Sequence, residues 1–202
     1  MINVETFIVG SLEANCYLVY DTSSKSGFLI DPGLFDDKIK EKIVSLGLEI
    51  KAIINTHGHA DHISGNKKFG YPIFIHKNDS GFLKNPLKNL SLALGTVSIS
   101  PRAAKLLNDG DEIKSGEIEF KVIHTPGHTP GGISLRLGNK VFTGDTLFRE
   151  NVGRTDLPNS SQEDLFHSIR DRLMALPDDT EIFPGHGPSS TIGHERKHNP
   201  YI

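Results

Sequence analysis

Thr56-His57-Gly58-His59-Ala60-Asp61-His62 puts three imidazoles and a carboxylate inside seven residues. A lone histidine after a strand is ordinarily a solvated or core residue. An H-x-H-x-D-H run is different, because it arises by chance in a chain of this composition roughly once in a thousand. The run follows an apolar stretch, 50–55, that reads as a strand. Three further turns downstream repeat that arrangement. Val122-Ile123 precedes His128, Val141-Phe142-Thr143-Gly144 delivers Asp145, and Ile182-Phe183 precedes Pro184-Gly185-His186. Four strands therefore present His or Asp just past their carboxyl ends, where open sheets bind ligands. Gly58, Gly127, Gly144 and Gly185 beside them let the backbone turn sharply and approach an ion closely.

Neutral imidazole and carboxylate suit zinc, iron or manganese, and no cluster of soft thiolates competes with them. Zinc is the expected ion, with iron and manganese also accepted by such a set. Two ions held by two carboxylates retain positive charge, and an Asp between them could bridge at a separation of about 3.5–4 Å. Such a pair lowers the pKa of bound water from 15.7 towards roughly 7 and so makes a nucleophile at neutral pH. The chemistry then needs no nucleophilic serine or cysteine.

Around these turns the chain reads as short strands and helices. Strands are expected at 3–9, 16–20, 27–30, 50–55 and 72–75, then near 117–123, 133–137, 140–143 and 181–183. Helices are expected at 35–46, with Ile39, Ile43, Val44 and Leu46 roughly on one face, and at about 61–69. A third runs from about 161 to 175, with Leu165, Ile169, Leu173 and Leu176 at helical spacing and Ser160 or Ser161 as cap, and a short helix closes the chain. Asp31-Pro32-Gly33 reads as a turn, and 82–108 as a loop with helical pieces. Sheets at the centre with helices outside are the expected α/β architecture.

The 202 residues fit one domain, 1–202. A net charge of −3 gives no reason to expect nucleic acid or an anionic membrane as partner. No apolar run approaches the roughly 18–20 residues of a membrane span, and no secretory signal is evident at the N-terminus. A single cysteine, Cys16, agrees with a reducing cytoplasm and reads as a small buried residue in a strand. Of the remaining five of the ten histidines, His76, His124, His167, His194 and His198 are expected in structural or surface roles. His124 is near enough to His128 in sequence to support it.

Taken together, Thr56–His62, Thr125-Pro126-Gly127-His128-Thr129-Pro130-Gly131, Gly144-Asp145-Thr146-Leu147-Phe148 and Pro184-Gly185-His186-Gly187 resemble the metallo-β-lactamase superfamily. Within it they are most similar to the short bacterial glyoxalase II-like (hydroxyacylglutathione hydrolase-like) proteins. The resemblance implies a four-layer αββα sandwich with the site at one edge. It assigns His57, His59 and His128 to a first metal, Asp61, His62 and His186 to a second, and Asp145 to a bridge between them. It also makes Asp61 and Asp145 the catalytic carboxylates of a thioester hydrolase acting on a small molecule such as S-lactoylglutathione, a glutathione thioester.

Secreted β-lactamases of the superfamily commonly carry a cysteine ligand where Asp145 stands, so antibiotic hydrolysis is not the expected activity. Gly185-His186-Gly187-Pro188 departs from the Gly-His-Glu-Tyr-Thr run of glyoxalase II proper. Gly153-Arg154-Thr155-Asp156 is shared with persulfide dioxygenases, mononuclear iron enzymes of the same fold, and Val152 stands where those often have cysteine. Arg154 and Asp156 are expected to form an ion pair near the site.

Overall fold

The computed structural model describes residues 1–202. The first sheet has six strands in sequential order: β1 (Ile2–Val9), β2 (Ala14–Asp21), β3 (Ser26–Ile30), β4 (Glu49–Ile54), β5 (Ile73–His76) and β6 (Lys105–Leu107). β1 to β3 are antiparallel, whereas β3 to β6 run parallel. The second sheet is built from β7 (Glu112–Ser115), β8 (Ile118–His124), β9 (Ile133–Leu137), β10 (Lys140–Gly144), β13 (Glu181–Pro184) and β14 (Ser190–Thr191). β11 (Leu147–Phe148) and β12 (Asn151–Val152) form a small separate ribbon.

The sheets face each other across one apolar layer. Along β8, Ile118, Phe120 and Val122 alternate inward and meet Val19, Phe28, Ile30 and Ile54 of the first sheet. Edge-on aromatic contacts stitch the layer, with Phe28 5.6 Å from Phe120 and Tyr17 5.1 Å from Phe142. The outer face of the first sheet packs on α1 (Asp37–Ser45), α2 (Ala60–Ile63) and the segment around Leu83. That of the second packs on α4 (Gln162–His167), its π-helical continuation Ser168–Leu173, and α5 (Ile192–His198). The architecture is the expected α/β four-layer αββα sandwich.

Several local expectations need correction. In α1 only Ile39 and Ile43 are buried, while Val44 is 70% exposed, because one residue further round the helix already faces solvent. The helix expected at 61–69 is two: α2 and α3 (Asn66–Phe69), parted at Ser64 and Gly65. The Asp31–Gly33 turn presses into that break, with Gly65 N–H donating to the Gly33 carbonyl and Gly33 N–H to that of His62 (3.1 Å). β6 and β7 emerge where no strand was expected, because both are short and mostly exposed. In the 161–175 helix Leu165, Ile169, Leu173 and Leu176 are all buried, and Ser161 is the cap, its Oγ accepting from Asp164 N–H.

Candidate metal centre

His57, His59, Asp61 and His62 lie beyond the end of β4, His128 beyond β8, Asp145 immediately after β10 and His186 just after β13. All seven side chains converge at one edge of the sandwich. The strand β2 locks the last turn in place: Asn15 N–H donates to the Gly185 carbonyl (2.7 Å), and Asn15 Nδ2 to those of Pro184 and Gly187 (3.0 and 2.8 Å). A Cβ on Gly185 would overlap the Asp145 carboxylate, so only glycine lets this turn approach.

The side chains fall into two groups. In the first, nitrogens of His57, His59 and His128 gather within 4.8 Å of one another, with His59 Nδ1 2.9 Å from His128 Nε2. In the second, the same span holds Asp61, His62 and His186, with His62 Nε2 3.3 Å from His186 Nε2 and Asp61 Oδ2 3.3 Å from the latter. Asp145 stands between them. Its Oδ2 lies 3.5 Å from His128 Nε2 and 3.7 Å from His186 Nε2, and its Oδ1 lies 3.4 Å from His62 Nε2.

The opposite nitrogen of four rings is committed to a partner. His128 Nδ1–H donates to the Arg154 carbonyl (2.9 Å), His186 Nδ1–H to that of Leu12 (3.0 Å), and His62 Nδ1–H to Asp31 Oδ2 (3.1 Å). Thr56 Oγ1 donates to Asp31 at 2.5 Å and therefore accepts from His57 Nδ1–H at 3.2 Å. These bonds leave the Nε2 lone pair of each ring facing the centre, the arrangement by which outer partners orient metal-binding histidines. Asp31, His57 and His62 also lie close enough to form a cation site of their own. The Asp31 oxygens, however, are already taken by Thr56 N–H, the Thr56 hydroxyl and His62, which makes Asp31 an orienting group rather than a ligand.

The electrostatics fit a cation. At the centre itself, His57 Nε2 and Asp145 Oδ1 are buried without any hydrogen-bond partner. Buried polar atoms are rarely left so, at about 1–3 kcal/mol each, and two at one spot, amid four imidazoles, point to a bound ion. Burial, then neighbouring histidines, keeps His57 well below its ordinary range and His59 at about 3, so both rings are neutral donors. At His62 burial acts downward too, but the carboxylates of Asp145, Asp61 and Asp31 outweigh it and hold the ring up at about 10. The cluster thus draws in positive charge, as a proton where no ion is present.

Two buried carboxylates that matter here escape a reading for ligand motifs. Asp31 directly follows β3 just as His57 follows β4, but Asp-Pro-Gly looks like an ordinary turn. Asp79 sits in the turn after β5, fully buried, accepting from Gly58 N–H (2.9 Å) and Gly131 N–H (2.6 Å). It ties the His57–His62 segment to the His128 loop.

The remaining histidines take other roles. His76 stacks on His124 at 4.1 Å, and His124 donates to the Pro130 carbonyl (3.0 Å) behind the His128 loop. His167 pairs with Asp171, and His194 with Glu150. Arg154 and Asp156 form the expected pair, through two contacts of 2.9 Å.

A cavity of about 730 Å³ opens over the centre and exposes His59, Asp61, His128, Asp145 and His186. Leu12, Leu90, Leu94, Phe148, Val152 and Leu157 form most of its apolar wall, with Arg149 and Arg154 beside them. The loop 82–108 thus supplies part of this wall.

Comparison with known proteins agrees with this geometry. The family model for the metallo-beta-lactamase superfamily matches residues 9–186. The chain is 35% identical to hydroxyacylglutathione hydrolase GloC of Haemophilus influenzae, covering 99% of this chain and 98% of that one. Among solved structures it superposes on the BLEG-1 B3 metallo-beta-lactamase with a TM-score of 0.92 at 32% identity, covering 98% and 99% of the two chains. It superposes on TTHA1623, solved in a di-iron-bound form, with a TM-score of 0.85 at 33% identity over 98% and 100%. With its fold, its four motif-bearing turns and most of its length accounted for, the chain belongs to the metallo-beta-lactamase superfamily.

Proposed function

We propose that this metal-dependent hydrolase cleaves thioesters, of which S-lactoylglutathione is one, at a two-ion centre. The observation that carries the reading is the position of Asp145, whose two oxygens face ligand nitrogens of both groups. His57, His59 and His128 would hold one ion, Asp61, His62 and His186 the other, and Asp145 both. When bound, the ions supply a water-derived nucleophile at neutral pH and polarise the substrate carbonyl. Zinc suits this set, and iron or manganese are alternatives.

The protein's own groups do the rest. Asp61 faces the cavity and accepts a hydrogen bond from the attacking water, orienting it toward the carbonyl carbon. A C–O bond forms as the C–S bond breaks, leaving a carboxylic acid and a thiol from thioester and water. A thiolate with a pKa near 8.5 departs without a strong general acid, consistent with the cavity's acid-poor wall. Arg149 and Arg154 lie where the charged thiol portion would rest. Residues 1–202 act as one domain, since both sheets share one core layer. The partnerless, buried Cys16 fits a reducing cytoplasm.

A second reading, a persulfide dioxygenase with one iron on His57, His128 and Asp145, draws on the Gly153–Asp156 run. That run touches the first group through the bond from His128 to the Arg154 carbonyl. One assay separates the readings: metal-reconstituted protein with S-lactoylglutathione, other acyl thioesters, a β-lactam and glutathione persulfide, with metal content measured on the same sample. Two ions with thioester cleavage and no oxygen uptake are expected. One iron with oxygen consumption on the persulfide would replace hydrolysis by the second reading.

A further inference from the structure

A second cavity, of about 320 Å³, adjoins the one over the metal centre and shares Leu12, Asp61 and Leu94 with it. Its wall is mainly apolar: Val9 and Leu12 from the β1–β2 hairpin, Leu34 from the segment after β3, Ala60 from α2 and Leu94 from the 82–108 loop. Three of these leucines are half exposed, at 46% for Leu12, 56% for Leu34 and 50% for Leu94. Single exposed leucines are unremarkable, but three from separate segments around one cavity form a patch of the kind that receives an apolar ligand. The polar lining offers little to a charged group. Ser64 Oγ–H donates to the Ala60 carbonyl with Ser98 Oγ 2.9 Å away, Ser11 and Thr96 add only neutral hydroxyls, and Asp61 is the only charged residue there.

We propose that this second cavity is an acyl channel, and that the substrate is a thioester carrying a medium-length apolar acyl chain. The inference rests on the hydrolase reading and deepens it. With the scissile carbonyl beside Asp61, a chain on its acyl side passes between Leu12 and Leu94 and comes to rest against Val9 and Leu34. The thiol portion, with its charged groups, occupies the larger cavity near Arg149. A two- or three-carbon acyl group leaves the channel unfilled.

The test is a series of acetyl, butanoyl, hexanoyl and octanoyl thioesters of one thiol. Burial of each added methylene is expected to raise kcat/KM roughly two- to fourfold until the channel is full. In Leu34→Asp the octanoyl-to-acetyl ratio is expected to fall towards one. Leu34→Gln, a neutral change at a half-exposed position, is expected to lower it less. A second readout uses methyl ketones of the same chain lengths, in which carbon replaces the thioester sulfur, titrated by calorimetry into the metal-free protein. Their affinity is expected to rise with length in the wild type and not in Leu34→Asp.

A flat profile with good acetyl hydrolysis would overturn the channel and leave the hydrolase reading standing. Length-dependent ketone binding with no cleavage of any thioester would support the channel and overturn the hydrolase. A length dependence that Leu34→Asp leaves unchanged would also overturn the channel.

Discussion

The Asp31 carboxylate accepts from Thr56 N–H, the Thr56 hydroxyl and His62 Nδ1–H, and through Thr56 it also fixes His57. Asp31→Asn keeps the shape but removes one acceptor and the charge that holds His62. It is expected to weaken binding of the second ion about 10- to 100-fold, read by metal competition against a chelator. His76 offers a pH test. Its burial, then His124 and Lys77, push its pKa down to about 4, against roughly 6.5 in an unfolded chain. The unfolded state therefore binds the proton first, so the contribution is complete above about pH 6.5 and is lost as pH falls towards 4, on the order of 3 kcal/mol in all. His76→Phe keeps the ring stacked on His124, and its urea midpoint is expected to fall less than that of the wild type between pH 7 and pH 4.5. At this scale the seven candidate ligands were legible because imidazoles after strand ends are rare enough to notice. Asp31 and Asp79 were not, because carboxylates that accept backbone N–H groups occur in any turn.

At the scale of elements, the loops that carry the site are held by buried polar bonds rather than by their own structure. Asp79 joins Gly58 and Gly131, the two ends of the first ligand group. Asp79→Ala leaves two buried N–H groups unpaired and is expected to destabilise the protein by about 2–4 kcal/mol in chemical denaturation. Hydrogen exchange is expected to accelerate at both loops together. α4 and its π-helical continuation behave as a conventional packing element, and Ile169→Ala is expected to cost about 2–5 kcal/mol. Such elements were legible where apolar residues kept a strict period, as in 161–175. They were not where tertiary contacts intervened: the Asp31–Gly33 turn divides 61–69, and the exposed β7 carries little pattern to read.

For the whole molecule, one apolar layer joins both sheets, and Phe142 is at its centre, in contact with Tyr17, Phe120 and Phe183. Phe142→Ala is expected to cost about 3–5 kcal/mol while preserving a single cooperative transition, because neither sheet has an inner layer of its own. That layer fixes the distance between β4, on one sheet, and β8, β10 and β13 on the other, and so assembles a site from four separate turns. On the proposed reading Asp145 unites those turns into one two-ion centre, and the rate of thioester hydrolysis by Asp145→Ala at saturating metal tests this directly. A loss of at least about a hundredfold relative to wild type is predicted, since even partners that only orient ligands are worth 10- to 100-fold. Full activity in that variant, with the fold intact, would rule out a bridging role for Asp145.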